Sequence, residues 1–579
     1  MSATDETFPD TIHTSPSASS QPARPATPPP PATPRVAIWP AAIGAGLAAM
    51  IAALLVRFVF GILSPAEIFG DRFTALLPLP IFARLLTLFG PSTKHIYYGA
   101  LLLGQGALTA LLAVAYWRLR AWLRSRPPMR PRAALADALP SYVEAPLLAL
   151  LPWLLSAGIL APLIGGGFFG ANLEGGVAGV FVSALLPDLA FALAFVTLLR
   201  RNAGTALLGD ASSARGISRR RLLRQVGFGL AVVAGAAVAW DFITSGVGSV
   251  LGVSSPRRPP LDLSNIGPDR IVPPPQPIYG TWSDVAGLAP EVTAAQDFYY
   301  VSKNLAGDPG IDVASWHLAI SGRVDRPYSL TYDALRNLPR VERYHTLECI
   351  SNEVGGDLIS NSLFTGVSLA DLLNHAGIQS GASELIFHAA DGYADTLHLA
   401  QALDPRALVV YLINGEKLPQ PHGYPARLLV PGLYGMKNGK WLTELELGSG
   451  GFTGYWEERG WTREAIVKTM TRIDTPHNND LIAQRPTFVA GVAYAGERGI
   501  ARVDVTTDGG KTWQPATLRR PLGNLTWVLW ELPWTPSASG TYILGARSVD
   551  GTGNVQTPDL APTLPDGASG YDSVAVHVG

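Results

Sequence analysis

The sequence predicts three structural classes in series: an apolar α-helical part, a mixed α+β domain and an all-β sandwich. Three observations predict this. Apolar and polar material is not mixed along the chain but divided near residue 250. Between residues 298 and 485, short apolar alternations are interleaved with capped helical stretches. Beyond residue 485, short alternating runs recur with turn formers between them. Whole-chain composition agrees. Charged residues make up only 15% of the 579, and mean hydropathy is +0.20, which is high for a water-exposed fold and points to membrane spans. A formal net charge of -1 supplies no overall field favouring nucleic acid.

Residues 1–35 are rich in Pro, Ser, Thr and Ala, and such a tail buries too little apolar surface to offset chain entropy, so it is expected to be disordered. The membrane domain is expected over 36–253, with about five spans near Val36–Val56, Ile96–Trp117, Ala145–Ile164, Val177–Leu199 and Val226–Val250. The first four have about the 20 residues needed to cross a bilayer; the fifth is weaker, being Gly- and Ala-rich and interrupted by Asp241. Phe73–Phe89, broken by Pro78, Pro80 and Arg84, reads as an interfacial piece. Arginines cluster after the second span (Arg118 to Arg132) and after the fourth (Arg200 to Arg224), and the loop between the third and fourth carries no Lys or Arg. The positive-inside rule then puts both basic loops in the cytoplasm and everything after residue 250 outside. Ser218-Arg219-Arg220-Arg221-Leu222-Leu223 reads either as a twin-arginine export signal set deep in the chain or as a topology anchor. With His95 the only histidine among the spans, a bis-histidine haem is not expected there. Residues 254–290 are Pro-rich and are expected to form a stiff linker.

In the α+β domain, expected over 291–485, Trp316–Val324 and Glu384–Ala389 read as strands. Ser368 with Asp371 reads as a helix start and Gly377 as its end. Two stretches carry chemistry. The first is His345-Thr-Leu-Glu-Cys349-Ile-Ser-Asn-Glu-Val-Gly-Gly-Asp357, which holds the only cysteine. A lone cysteine forms no disulfide within its chain; it is a soft metal ligand, a nucleophile or a small core residue. The second is His422-Gly-Tyr-Pro-Ala-Arg427, followed by Gly432, Gly435, Lys437, Gly439, Lys440 and Trp441. Glycines let backbone N–H groups approach a ligand, and the cations suit an anionic group such as phosphate. After 486, Thr487–Val492, Ala501–Thr507, Trp527–Leu532, Thr541–Ala546 and Ser573–Val578 read as strands of an immunoglobulin-like sandwich, with a hairpin turn at Asp508-Gly509-Gly510-Lys511.

These stretches, together with Phe364-Thr-Gly-Val-Ser-Leu-Ala-Asp-Leu-Leu373 and Val503-Asp-Val-Thr-Thr-Asp-Gly-Gly-Lys-Thr-Trp513, resemble the sulfite oxidase-like molybdopterin-dependent oxidoreductases, and their membrane-anchored bacterial branch in particular. The resemblance runs from about Phe298 to the C-terminus and leaves the first 250 residues outside it. It implies a molybdopterin-binding α+β domain followed by an immunoglobulin-like dimerisation domain, hence a homodimer. It implies a molybdopterin whose molybdenum takes Cys349 as its protein ligand. Carried over by motif, Tyr299 and Tyr300 line the pterin, and His422, Arg427, Asn438, Gly439 and Lys440 hold the pterin and its phosphate. His388, Asp391 and Tyr393 either approach the metal, Asp391 and Tyr393 as catalytic groups, or are ordinary loop residues. Sulfite oxidases place basic residues shortly after the cysteine, where this chain has Ile-Ser-Asn-Glu-Val. A carboxylate at Glu353 would repel sulfite if it faced the site, so another small S- or N-oxide is the expected substrate. The chain shows no haem-attachment motif and no flavin fingerprint, so a separate electron carrier, cytochrome or quinone-linked, is expected. Two other readings stay open: a Cys/His thiol hydrolase, and a non-catalytic binding module.

Overall fold

The structure, a computed structural model, describes residues 38–60, 64–77, 93–124, 142–164, 167–171, 176–208 and 282–579 except 306, with isolated positions at 81, 259, 261, 277, 279 and 280. The expected tail at 1–35, the arginines at 219–221 and the expected span Val226–Val250 lie outside the described residues.

The N-terminal part is a helix bundle: α1 (Ile38–Phe60), α2 (Pro65–Leu76), α3 (Thr93–Arg124), α4 (Ala145–Leu155, continued through a π-turn at Ser156–Leu160 and a last turn at Ala161–Leu163) and α5 (Gly176–Leu208). Among the described residues, four helical stretches are long and apolar enough to cross a membrane: Ile38–Leu55, Ile96–Trp122, Tyr142–Leu163 and Val177–Arg201. Small residues let α1 and α3 pack closely. A Cβ on Gly46 would fall 2.4 Å from the Gly106 carbonyl, and one on Gly106 would fall 2.6 Å from Met50 Sδ. The helices run antiparallel in register. The start of α1 packs with the end of α5 (Ala41, Ala42 and Ala45 with Phe195, Val196 and Leu199). At the opposite end, α2 packs with the end of α4 and the start of α5 (Ile68, Phe69, Ala161, Val180). Helix α2 is set by a capping box, Ser64 with Glu67, and by Pro65 in the first turn.

The α+β domain has two sheets. Its strands are β1 (His317–Gly322), β2 (Tyr328–Thr331), β3 (Val341–Glu348), β4 (Ile359–Ser368), β5 (Glu384–Ala389), β6 (Ala394–His398), β7 (Leu408–Ile413), β8 (Glu416–Lys417), β9 (Arg427–Leu429) and β10 (Leu442–Gly448). One sheet has the order β2-β1-β10-β5-β6; the other is β3-β4-β7-β8, with β9 on β7. Helix α6 (Leu369–Ala376) follows β4; Ser368 Oγ accepts from the Asp371 N–H at 3.1 Å, and Gly377 stops the helix at φ 76°.

The sandwich comprises β11 (Met470–Thr475), β12 (Leu481–Ile482), β13 (Thr487–Tyr494), β14 (Ile500–Thr506), β15 (Gln514–Pro515), β16 (Thr517–Leu518), β17 (Val528–Trp534), β18 (Gly540–Asp550) and β19 (Asp572–Val578). Its sheets are β11-β13-β17-β16 and β12-β19-β18-β14-β15. The sandwich thus starts at Met470, earlier than the 486 boundary expected from sequence, because β11 pairs along β13. The Pro-rich segment does not stand free where it is described. Trp282, Leu288 and Ala289 pack into an apolar cluster with residues of both outer domains, and the Ala289 N–H donates to Asp474 at 2.9 Å; burial of these apolar side chains outweighs the stiffness of the prolines.

Candidate active site

Cys349 follows directly on β3, and its position is over-determined. Its N–H donates to Leu358 O at 2.9 Å, and its carbonyl accepts from the Asn352 N–H at 2.9 Å. Asn352 reaches back to Glu348 Oε1 at 3.0 Å. Behind β3 stands the sandwich: Trp527 N donates to Thr346 Oγ1 at 2.8 Å and Tyr494 Oη to Thr346 O at 2.9 Å. The thiol is buried, which pushes its pKa up, and bonds from Ser351 pull the other way.

Cys349 forms part of the wall of a cleft. Tyr299, Tyr393, Asp391, His422, Arg427, Asn438, Gly439 and Lys440 line the same cleft, as the sequence leads one to expect. Tyr299 is held by Ser360 on β4, whose Oγ accepts its N–H at 3.0 Å. The ring of Phe298 stacks on Tyr299 and meets the His422 edge. His422 is kept neutral, its pKa pushed down to about 4 by burial and by Arg427 beside it. Arg427 is fully buried and bonds the His422 carbonyl at 3.2 Å and the Asn438 carbonyl at 3.1 Å; desolvation brings it down to about 10.

Along the cleft the glycines form a tight cradle whose backbone leaves no room for side chains. A Cβ on Gly435 would fall 2.6 Å from Tyr299 Oη, and one on Gly439 would fall 2.4 Å from the Phe387 ring. Gly423, at φ 107°, sits where a Cβ would press on Arg427 and Lys440. Lys440 lies 4.2 Å from the centre of the Trp441 ring and 4.9 Å from that of Tyr300. It donates to Val301 O at 2.9 Å and Pro421 O at 2.8 Å, tying the 299–303 segment to the glycine loop.

Several expected roles shift. Tyr300 is not among the residues lining the cleft; it is 45% exposed, its hydroxyl on Asp308 at 3.0 Å. His388 does not line the cleft; it pairs with Glu446 at 3.1 Å on the outer face of its sheet. The Asn438 amide is used up inside the loop, accepting from Val430 N at 2.6 Å and donating to the carbonyls of Leu433 and Tyr434 at 3.2 and 3.1 Å. Its part in the site is to shape the glycine loop. One Asp391 oxygen caps its own turn, accepting from Tyr393 N at 3.1 Å. The Tyr393 hydroxyl lies 2.9 Å from Asp395 Oδ2 and 2.8 Å from Met436 O, and burial holds it well above the usual phenol range, as a neutral donor. Lys437 does not serve the cleft as a cation. It is buried against Asp395 at 2.6 Å and Glu457 at 2.9 Å. Glu353 is exposed and not among the lining residues, so the charge argument against sulfite falls away.

Sequence reasoning missed Ser351, Lys303, Met436, Trp456 and Trp461, all of which line the cleft. The aromatic run Tyr455, Trp456, Trp461 in a loop was a readable signal.

The residues fit a molybdopterin. A single protein thiol faces a glycine cradle with Arg427 and Lys440 beside it, and the buried Trp461 Nε1 has no hydrogen-bond partner among the described residues. Among those residues no group of three or more His, Cys, Asp or Glu is arranged around a metal. Cys349 would be the one protein ligand, and the rest of the coordination would come from the cofactor.

Comparison with known proteins agrees. Residues 306–456 match the oxidoreductase molybdopterin binding domain family, and 463–564 match the Mo-co oxidoreductase dimerisation domain family. The human protein "Sulfite oxidase, mitochondrial" is 28% identical over 354 residues, covering 53% of this chain and 63% of that protein. The Ulva prolifera "Nitrate reductase [NADH]" is 29% identical over 325 residues, covering 45% of this chain and 38% of that protein. The structure of the sulfane dehydrogenase SoxCD from Paracoccus pantotrophus aligns with TM-score 0.45 at 22% identity, covering 52% of this chain and 90% of that one. The chain thus spans less than two thirds of the length of the human relative. Over residues 306–564 the chain thus carries the molybdopterin-binding and dimerisation domains of the sulfite oxidase-like molybdopterin-dependent oxidoreductases.

Proposed function

We propose that the chain is a membrane-anchored oxidoreductase that transfers an oxygen atom, with two electrons, to or from a small S- or N-oxide outside the cytoplasmic membrane. The observation that carries this is the Cys349 thiol in the wall of a glycine-cradled, cationic cleft. When bound, the molybdenum cofactor supplies the oxygen-transfer and redox chemistry. The chain's residues would hold and shape. Cys349 would give the metal a thiolate, which a cation stabilises in spite of burial. Arg427, His422 and Lys440 would grip the pterin and its phosphate. Tyr393 would stay neutral at working pH, its hydroxyl committed to Asp395 and the Met436 carbonyl, and its ring would shape the wall of the cleft. Trp456, Trp461 and Met436 would exclude water from the reacting face.

The matched relatives carry names with two different substrates, sulfite and nitrate, so substrate choice rests on the cleft. The test is a screen of sulfite, nitrate, sulfoxides and N-oxides against pure full-length protein with an artificial electron mediator. Turnover of none, in protein shown to hold the cofactor, would sink the oxygen-transfer reading.

Two facts support the membrane arrangement. Arg118 and Arg120 towards the end of α3 and Arg200 and Arg201 towards the end of α5 lie at one end of the bundle, and Arg57, at the other end, bonds Gly307 of the outer part. The outer part thus docks at the end of the bundle opposite the arginines. We take the outer part to be extracytoplasmic on this basis, the chain to be a homodimer through its sandwich, and its electron partner to be a separate carrier.

A further inference from the structure

The cleft has two lips that are far apart in sequence. One carries Ser302 and Lys303, the other Tyr455 and Trp456, and they meet where Lys303 Nζ lies 5.2 Å from the centre of the Tyr455 ring. Both lips also touch the apolar helices. On the first, Arg57 in the last turn of α1 donates from Nη2 to the Gly307 carbonyl at 2.9 Å, and Leu305 packs against Met50, Tyr98 and Leu102. On the second, α2 lies beside the turn Glu457–Arg459, which follows Trp456 directly.

Helix α2 is itself tied to Arg57. Glu67 Oε1 accepts from Arg57 Nε at 2.9 Å, while Oε2 accepts the Ser64 N–H at 2.8 Å and lies 2.9 Å from its hydroxyl. One guanidinium therefore joins α1, α2 and the first lip. The Arg57 and Glu67 side chains are only 10% and 6% exposed. An ion pair so placed loses hydration and is tolerated only when its remaining donors and acceptors are met. Here a carbonyl of the outer part meets one of them. Anchoring alone asks for no such bond; apolar packing would suffice.

We propose that Arg57 is a positioning residue for the cofactor cleft: through Gly307 and α2 it fixes the spacing of the two lips, so that substrate access depends on the apolar helices. This rests on reading the cleft as the catalytic site. Without the bond the first lip samples more conformations, and each productive encounter must reorder it. That weakens substrate capture and leaves the bound reaction unchanged.

The test uses full-length, cofactor-loaded protein in detergent, with Arg57→Ala, Arg57→Lys and Leu305→Ala. Two readouts are taken: amide hydrogen exchange of the peptide 300–308, and steady-state kinetics on whichever substrate the mediator screen identifies. In Arg57→Ala the exchange should quicken about tenfold while the peptide 345–360 is unchanged. KM should rise about five- to tenfold with kcat within about twofold. Arg57→Lys should fall between, because an ammonium serves Glu67 or Gly307 but not both in the same geometry. Leu305→Ala leaves the ion pair intact and should move both readouts the same way; it decides the matter if Arg57→Ala does not accumulate. Wild-type exchange and KM in both Ala variants would overturn the proposal, as would a fall in kcat with KM unmoved. Wild-type protein without molybdenum would overturn the reading of the cleft and the access role with it. The exchange readout is independent of cofactor, so the two failures are told apart.

Discussion

Lys437 carries its charge to a place where 1% of the residue meets solvent, and it stays there because Asp395 and Glu457 both reach its ammonium. Burial pushes Asp395 up to about 6 against the pull of Lys437, so the cluster is balanced rather than generously stable. Removing the cation leaves two buried carboxylates facing each other without the ammonium they share. Lys437→Met should cost about 3–5 kcal/mol by denaturant titration, and adding Asp395→Asn should recover part of that; a loss under 1 kcal/mol would contradict the account. The sequence could not show this. Lys437 stands among glycines and reads as an anion binder, while the carboxylates that claim it come from β6 and from a turn beyond β10. Cys349 was legible, because a single thiol before a polar, glycine-containing run has few roles. Its burial raises the pKa and makes it a poor free nucleophile, which weighs against a hydrolase. Cys349→Ser should fold with a change of about 1–2 kcal/mol at most, keep its pterin, lose the thiolate-to-molybdenum absorption band and fall to background turnover. An unchanged spectrum would return Cys349 to the core.

At the scale of elements, what was local was readable. The Ser368 cap, Gly377 stop and strand Glu384–Ala389 stand where the pattern put them, because a cap and an apolar strand are written in adjacent residues. Strand β11 was not readable: Met470-Thr-Arg-Ile-Asp-Thr475 has no clean alternation, and only pairing with β13 makes it a strand. Helix α2 carried a signal, Ser64-Pro65-Ala-Glu67, that the longer apolar run from Phe73 obscured. The glycine loop can be tested as an element. In Gly439→Ala the new methyl meets Phe387, itself fully buried on β5. The variant should lose about 1–3 kcal/mol, and its pterin content should drop as the loop shifts to make room for the methyl. Full pterin content with an unshifted melting temperature would show that the loop does not approach the cofactor.

At the scale of the whole molecule, four of the five expected spans coincide with described helices, because about 20 unbroken apolar residues leave little choice of structure. What no periodicity could reveal is that the outer domain docks on the bundle at Arg57, or that the sandwich stands behind β3 and holds Thr346 two residues before Glu348. Long-range contacts of this kind are set by tertiary packing. Reporter fusions after residue 255 should be active only with an extracytoplasmic reporter. Arg219→Lys with Arg220→Lys should block delivery of the outer domain while the first four spans still insert. Normal delivery in that double variant would reduce the arginines to a topology anchor. The central claim, that Cys349 and the glycine cradle hold a molybdenum cofactor, is tested most directly by metal and pterin analysis of full-length wild-type protein made in molybdenum-sufficient cells. The account predicts about one molybdenum and one pterin per chain; protein that folds and holds neither would contradict it.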